Sequence, residues 1–378
     1  MEIFHEQPSV PAHSVLLMSS RADAVNYPRG EIRLGFCRAC GFISNLAFDA
    51  SLNEYSQQCE ESQGFSPYFR SWLRGVAEDF VARYRLYGKS VLEIGCGKGE
   101  FLALVCELGG NRGVGIDPAY VPGRFETDSA DGIRFINELY SEAHGDLAGD
   151  AVVCRHTLEH IGPVADFVGI VRRSLGGRDD VVVFFELPET LRVLREVAFW
   201  DVYYEHCSYF SAGSLARLFR ATGFDVLAVA PAFDDQYLLI EARPAALGTS
   251  QPAPSATDLE AVRAGAAQFA DGYRNRIAGW QATVADVTDR HRRTVVWGSG
   301  SKGVAFLNAL GGSAIEFAVD VNPHKHGMYM AGTGQRIVPP MFLQQYRPDL
   351  IIVMNPTYLG EIKRNLDDLR VEAELVAV

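Results

Sequence analysis

The stretch Val91-Leu92-Glu93-Ile94-Gly95-Cys96-Gly97-Lys98-Gly99-Glu100-Phe101 reads as a buried strand, a glycine turn and the opening of a helix. Glycines at every second position let a backbone pass close to a ligand where any Cβ would collide. The apolar stretch that follows, Gly113-Val114-Gly115-Ile116-Asp117, ends in a carboxylate 24 residues after Glu93. An acid at the tip of a second strand can hold a ribose diol by two hydrogen bonds. The spacing is Gly-x-Gly-x-Gly, not the Gly-x-Gly-x-x-Gly expected where a pyrophosphate rests on a helix N-terminus. That favours an adenosyl ligand without phosphates, of which S-adenosylmethionine is the leading candidate. Glu93, Gly95, Gly97, Gly99 and Asp117 are its expected binding residues. A lone glycine triplet is equally a tight structural turn; the two flanking acids and two apolar strands favour the ligand.

Working outward, Phe69, Trp72, Leu73, Val76, Phe80 and Val81 recur at helical spacing before the first strand. A third strand is expected over Gly132–Ile136, placing Asn137 and Glu138 at its tip to face an adenine. Asp150–Cys154 and Val181–Phe185 read as a fourth and a fifth. Strands alternating with helices predict a doubly wound parallel α/β sheet, with ligands outside the strand carboxyl ends. Arg155-His156-Thr157-Leu158-Glu159-His160 follows the fourth strand directly. Its His-x-x-Glu-His pattern matches an inverted metalloprotease motif, but a strand tip precedes it and a third ligand is missing. The stretch is expected to be a cofactor-side loop, with His156 near the adenosyl group and Glu159 capping or packing.

The chemistry is expected in Phe199-Trp200-Asp201-Val202-Tyr203-Tyr204-Glu205-His206-Cys207-Ser208-Tyr209-Phe210-Ser211. Here titratable and hydroxyl groups stand among aromatics that exclude water. His206 can remove and return a proton near neutrality, Glu205 can orient it, and Tyr203 can donate to an oxygen gaining charge. The plainer reading is an aromatic lid with a satisfied histidine.

Three units are expected: a small N-terminal one over residues 1–75, a sheet domain over 76–245, and a C-terminal unit over 246–378. In the first, Cys37-Arg38-Ala39-Cys40 is a knuckle-like pair that could ligate zinc through Cys37 and Cys40. A tetrahedral site needs four ligands, and a second Cys-x-x-Cys is missing. His5, His13 and Cys59 are the other candidates, without knuckle spacing; a plain turn is the alternative. Pro244–Thr257 reads as a Pro-rich linker and Asp258–Arg293 as an Ala-rich helix. Then Val295-Val296-Trp297-Gly298-Ser299-Gly300-Ser301-Lys302-Gly303 gives a true Gly-x-Gly-x-x-Gly after a strand, with Asp320 about 20 residues on. It reads as a phosphate or nucleotide site serving the substrate, a nicotinamide site, or a relic of the fold.

The chain's 378 residues are enough for several cores, and 48% hydrophobic with 22% charged residues is ordinary for a globular protein. A net charge of -12 lacks the basic footprint of a nucleic-acid binder, so an anionic substrate needs a local basic pocket. No run of about 18 apolar residues suggests a membrane span. The first residues lack a signal-peptide pattern, and seven scattered cysteines fit a reducing cytoplasm. A monomer or homodimer is expected.

With these pieces placed, the chain resembles the three-domain sugar C-methyltransferases, which carry a zinc-binding N-terminal domain, a methyltransferase domain and a Rossmann-like C-terminal domain. The resemblance rests on Glu93-Ile94-Gly95-Cys96-Gly97, on Tyr203-Tyr204-Glu205-His206 with Ser208-Tyr209-Phe210-Ser211, and on Asp320 with Asn322-Pro323, Lys325 and Gly327. It implies a Rossmann-like methyltransferase sheet, S-adenosylmethionine as cofactor, and methyl transfer to the carbon beside a ketone of a nucleotide-linked deoxysugar. The family's base falls on His206, its glutamate on Glu205 and its first tyrosine on Tyr203. This chain departs with Tyr204 where histidine is usual and with one zinc cysteine pair in place of two. The competing expectations are an O- or N-methyltransferase, an NAD(P)-dependent oxidoreductase using Gly298-Ser299-Gly300, and a nucleotide-binding module without catalysis.

Overall fold

The computed structural model describes residues 1–53, 55–124, 132–246, 255–311 and 315–378. Most of the Pro-rich stretch expected as a linker, residues 247–254, lies outside the described residues.

Three sheets organise the chain. The largest has seven strands in the spatial order Phe224–Ala232, Tyr237–Pro244, Val182–Pro188, Ala151–Arg155, Ser90–Ile94, Arg112–Ile116 and Ile133–Ile136. The five strands from Ser90 to Pro188 run parallel, while Tyr237–Pro244 is antiparallel to both its neighbours. Valines 152, 153 and 183 and phenylalanines 184 and 185 are buried on both faces, as the middle of a helix-covered parallel sheet requires. Strand order reverses beside Ser90–Ile94, because its two neighbours belong to successive crossovers on opposite sides. The crevice at its carboxyl end is therefore a ready ligand site.

The helix Pro67–Tyr84 starts where Ser66 accepts the Phe69 N–H and Pro67 presets the first turn. It buries Phe69, Leu73, Ala77, Phe80 and Val81 on the large sheet. The structure thus runs one continuous helix through the expected 75/76 boundary. The Ala-rich helix extends over Ala256–Asp289, a little short of the expected Arg293.

A four-stranded antiparallel sheet joins Glu2–Pro11, Arg29–Phe36 and Ile43–Asn45 to Ser208–Tyr209, which comes from the far side of the chain. Among the described residues, the N-terminal segment shares its core with later parts of the chain. Ile32, Leu34 and Phe36 share one cluster with Phe199, Trp200, Phe269, Trp280, Phe306 and Met330. The third sheet is wholly parallel, in the order Arg336–Val338, Phe317–Val319, Thr294–Trp297, Leu350–Val353 and Glu374–Ala377. No described helix is long and apolar enough to cross a membrane.

Candidate active site

Both glycine turns open onto one cleft of about 610 Å³. At the first, Gly95, Gly97 and Gly99 all take positive φ (68°, 53° and 89°), a region that L side chains resist. A Cβ at Gly95 would collide with the Thr157 hydroxyl. The space above Gly97 is open except for the Glu61 carboxylate, 2.9 Å from where a Cβ would stand. The Gly97 N–H donates to Asp117 Oδ2 at 2.8 Å and the Ala119 N–H to Oδ1 at 2.6 Å, so Asp117 is fixed with lone pairs to spare. Glu93 is buried and, among the described residues, its Oε2 has no hydrogen-bond partner; burial pushes its carboxyl up to about 8. Gly99 does not itself line the cleft; it begins the helix Glu100–Gly109 without a side-chain cap, and Glu100 and Phe101 of the first turn line the cleft. Such an open, acid-flanked bend fits a slim cationic adenosyl ligand.

Beyond Asp117, the cleft is lined by Pro118, Ala119, Leu139, Tyr140, Ile161 and Phe167, an apolar slot suited to a flat base. Of the two residues expected at the third strand tip, Glu138 lines the cleft and Asn137 does not. The Asn137 amide instead donates to the Tyr120 carbonyl at 2.8 Å.

His156 borders the cleft in a left-handed conformation (φ 48°), with its ring nitrogens directed at protein carboxylates. Nε2 lies 2.8 Å from Glu186 and Nδ1 lies 3.5 Å from Glu159. Burial opposes its charge, but the two glutamates prevail and hold the imidazole up at about 9. The expected adenosyl contact therefore becomes an ion-paired cation in the wall.

The loop after Phe199–Asp201 carries Tyr203 and His206 into the cleft, and Ser208–Tyr209 anchors its far end in the N-terminal sheet. His206 is 6% exposed, with the Tyr203 ring at 4.1 Å and the edge of His160 at 4.8 Å between centroids. Burial, then the neighbouring His160, His156 and Lys302, hold its pKa well below the ordinary value, leaving a neutral ring able to accept a proton.

Glu205 does not orient it. Glu205 turns to His13, whose Nδ1 is 2.7 Å away, and accepts the Ser14 hydroxyl. A glutamate and a histidine adjacent on an irregular loop point to different sides, so neighbours in sequence need not meet. The carboxylate near His206 is Glu159, 4.0 Å from Nε2. Glu159 is 2% exposed, and among the described residues neither of its oxygens has a hydrogen-bond partner. Donor atoms of Glu159, His160 and His206 all fall within 4.8 Å of one another, a set that could also grip a divalent ion. His160 Nδ1 is in turn 2.9 Å from the Tyr55 hydroxyl. Position at the carboxyl end of the fourth strand was the signal for Glu159 and His160. Tyr55 carried none.

Cys37 and Cys40, the expected metal ligands, have no third His, Cys, Asp or Glu donor beside them among the described residues. The Cys37 carbonyl instead accepts the Gly41 N–H, closing a turn, and the Cys40 carbonyl accepts from Arg217. His13 and Cys59 stand 3.6 Å from each other beside Glu205.

At the second glycine turn, Asp320 is already largely engaged. It accepts the Ser299 N–H (3.1 Å), the Ser299 hydroxyl (2.6 Å) and the Asn322 N–H (2.9 Å), with Lys325 Nζ 3.6 Å away. A ribose diol would find little left to bind, which disfavours a nicotinamide role. Lys325 Nζ stands 3.8 Å from where a Cβ on Gly300 would sit. Lys302 and Arg192 both pair with Asp201 and line the same cleft. Near this turn the cleft thus carries Arg192, Lys302 and Lys325 with Asp201 and Asp320, and near the first turn Glu61, Glu93 and Asp117 with Lys98 and Arg155. The histidines feel both ends, since Lys302 acts on His206 and His160 acts on Asp117.

Residues 69–229 match a family described as a methyltransferase domain, and residues 259–376 one described as a C-methyltransferase C-terminal domain. The chain is similar to the C-methyltransferase NovU of Streptomyces niveus, at 29% identity over 294 residues, 74% of this chain and 69% of that protein. Two solved structures align weakly. One is the 1,6-didemethyltoxoflavin-N1-methyltransferase of Burkholderia thailandensis (TM-score 0.35, 18% identity, 48% of this chain and 83% of that chain). The other is the N,N-8-amino-8-demethyl-D-riboflavin dimethyltransferase of Streptomyces davawensis (TM-score 0.35, 19% identity, 47% and 56%).

Proposed function

We propose that this S-adenosylmethionine-dependent methyltransferase methylates the carbon beside a ketone in a nucleotide-linked deoxysugar. The observation that carries the reading is that the two glycine turns share one cleft. An acidic glycine bend for a cationic adenosyl donor lies at one end and a glycine turn with Lys302 and Lys325 at the other, with neutral His206 lining the same cleft. The likeness to a C-methyltransferase supports carbon as the acceptor.

S-adenosylmethionine, when bound, supplies an electron-poor methyl carbon. Gly95 and Gly97 would let its methionine end approach the backbone, Asp117 would hold its ribose, and the slot around Leu139 and Phe167 its base. Lys302, Lys325 and the N–H groups opening the helix Ser301–Ala309 would hold the substrate's diphosphate. His206 takes the proton from the carbon beside the ketone. Glu159 stabilises the resulting imidazolium, and the Tyr203 hydroxyl donates to the oxygen that gains charge. A methyl donor that is already activated needs orientation above all, so a closed cleft with fixed ends provides much of the rate.

The test is incubation with S-adenosylmethionine and a panel of nucleotide 4-keto-sugars, read by mass spectrometry and carbon NMR. The expected product gains one CH₂ on carbon. A methyl found on oxygen or nitrogen, or no transfer to any member of the panel, would overturn the substrate assignment.

A further inference from the structure

Glu61 belongs to the segment between Ile43–Asn45 and the helix Pro67–Tyr84. Its carboxylate is, among the described residues, the one group within 4 Å of the position a Cβ would take at Gly97. The segment is pinned there by Lys98, whose ammonium donates to the Cys59 carbonyl at 2.6 Å and to the Ala119 carbonyl at 2.7 Å. Lys98 so ties the Glu61 segment to the loop that follows Asp117. It stays 3.9 Å from Glu61 itself, with two of its three donors committed elsewhere. Glu61 thus faces the cleft with an incomplete counter-charge.

We propose that Glu61 is the ligand of the cofactor's α-ammonium group. The methionine end of S-adenosylmethionine carries two cations, and the geometry distinguishes between them. The sulfonium must face the acceptor carbon near His206. Glu61 stands at the bend: Lys98 Nζ is 3.9 Å away, and the Glu61 carboxylate is 2.9 Å from the Cβ position of Gly97, whose N–H holds Asp117. Glu61 therefore addresses the end of the cofactor remote from the reaction. With 39% of the side chain exposed, partial desolvation in the cleft pushes its carboxyl up to about 7. An arriving ammonium would restore the ionised form.

Glu61 acts as a positioning residue, and binding measurements separate that role from damage to the pocket. The full chain and Glu61→Gln are titrated calorimetrically with S-adenosylhomocysteine, which keeps the α-ammonium, and with 5′-methylthioadenosine, which lacks the amino-acid end. Loss of one charge-assisted hydrogen bond is expected to weaken S-adenosylhomocysteine about tenfold to a hundredfold and to leave methylthioadenosine within about twofold. Unchanged S-adenosylhomocysteine binding would overturn the assignment, as would an equal loss for both ligands. The inference rests on the cofactor reading, and a wild-type chain that binds neither ligand would sink that reading first.

Discussion

Glu205 and His206 are adjacent in the chain but serve different partners: Glu205 grips His13 at 2.7 Å, while His206 looks to Glu159 at 4.0 Å. The His13–Glu205 pair and the Ser14 hydroxyl, which also reaches the Ser301 hydroxyl at 2.7 Å, fasten the reacting loop to the N-terminal strand and the second glycine turn. Glu205 therefore fixes the loop's position rather than the orientation of His206.

The pair sets a pH dependence of stability. Burial opposes charging of His13, but Glu205 overcomes it and raises the imidazole to about 11 from an ordinary 6.5. A raised folded-state pKa contributes stability that is complete below about 6.5 and is lost as pH climbs toward 11. The difference in unfolding free energy between the wild type and His13→Asn should shrink over that window, by at most about 1.4 kcal/mol per pH unit. Urea melts at a series of pH values measure it; a difference that grows with pH would contradict the ion pair.

His206→Asn should lower kcat by about two to four orders of magnitude, the usual worth of a general base, while S-adenosylhomocysteine still binds normally. Glu159→Gln should lower kcat less, about tenfold, with KM little changed, because it removes only the partner of the imidazolium. Single-turnover kinetics on both variants check the order. Near-normal turnover in His206→Asn would remove the proposed base.

Lys325→Gln should raise KM for the nucleotide-linked substrate about tenfold to a hundredfold with cofactor affinity intact, the loss expected for one charged hydrogen bond. The wild-type KM should also rise with ionic strength more steeply than that of the variant. Equal salt slopes would argue against a phosphate contact at Lys325.

Gly95→Ala puts a Cβ against Thr157 at a φ of 68°, so something must move. A cost of about 1–3 kcal/mol in stability is expected from the strain alone, together with loss of adenosyl binding. Thermal melts with and without S-adenosylhomocysteine should show a lower midpoint and no ligand-induced rise.

Much of this was legible locally. The run from Val91 to Phe101 announced a strand, a positive-φ bend and a helix, because only glycine tolerates that backbone. The acid at Asp117 announced its own place, since a residue at a strand tip points where the crevice must be. The second glycine turn was equally readable as a motif, but its disfavoured nicotinamide role was not. That depended on Ser299, Asn322 and Lys325 closing in on Asp320.

Sequence by itself determined the elements and their order, because helix and strand periods, caps and glycine turns are properties of neighbouring residues. Only the tertiary structure decided who partners whom: Glu159 with His206, His13 with Glu205, Glu61 with the bend at Gly97, and Cys37 and Cys40 with no third ligand among the described residues. Charges and thiols act across gaps of a few ångströms, and those gaps are set by how three sheets pack. Positions more than a hundred residues apart thereby meet in one cleft.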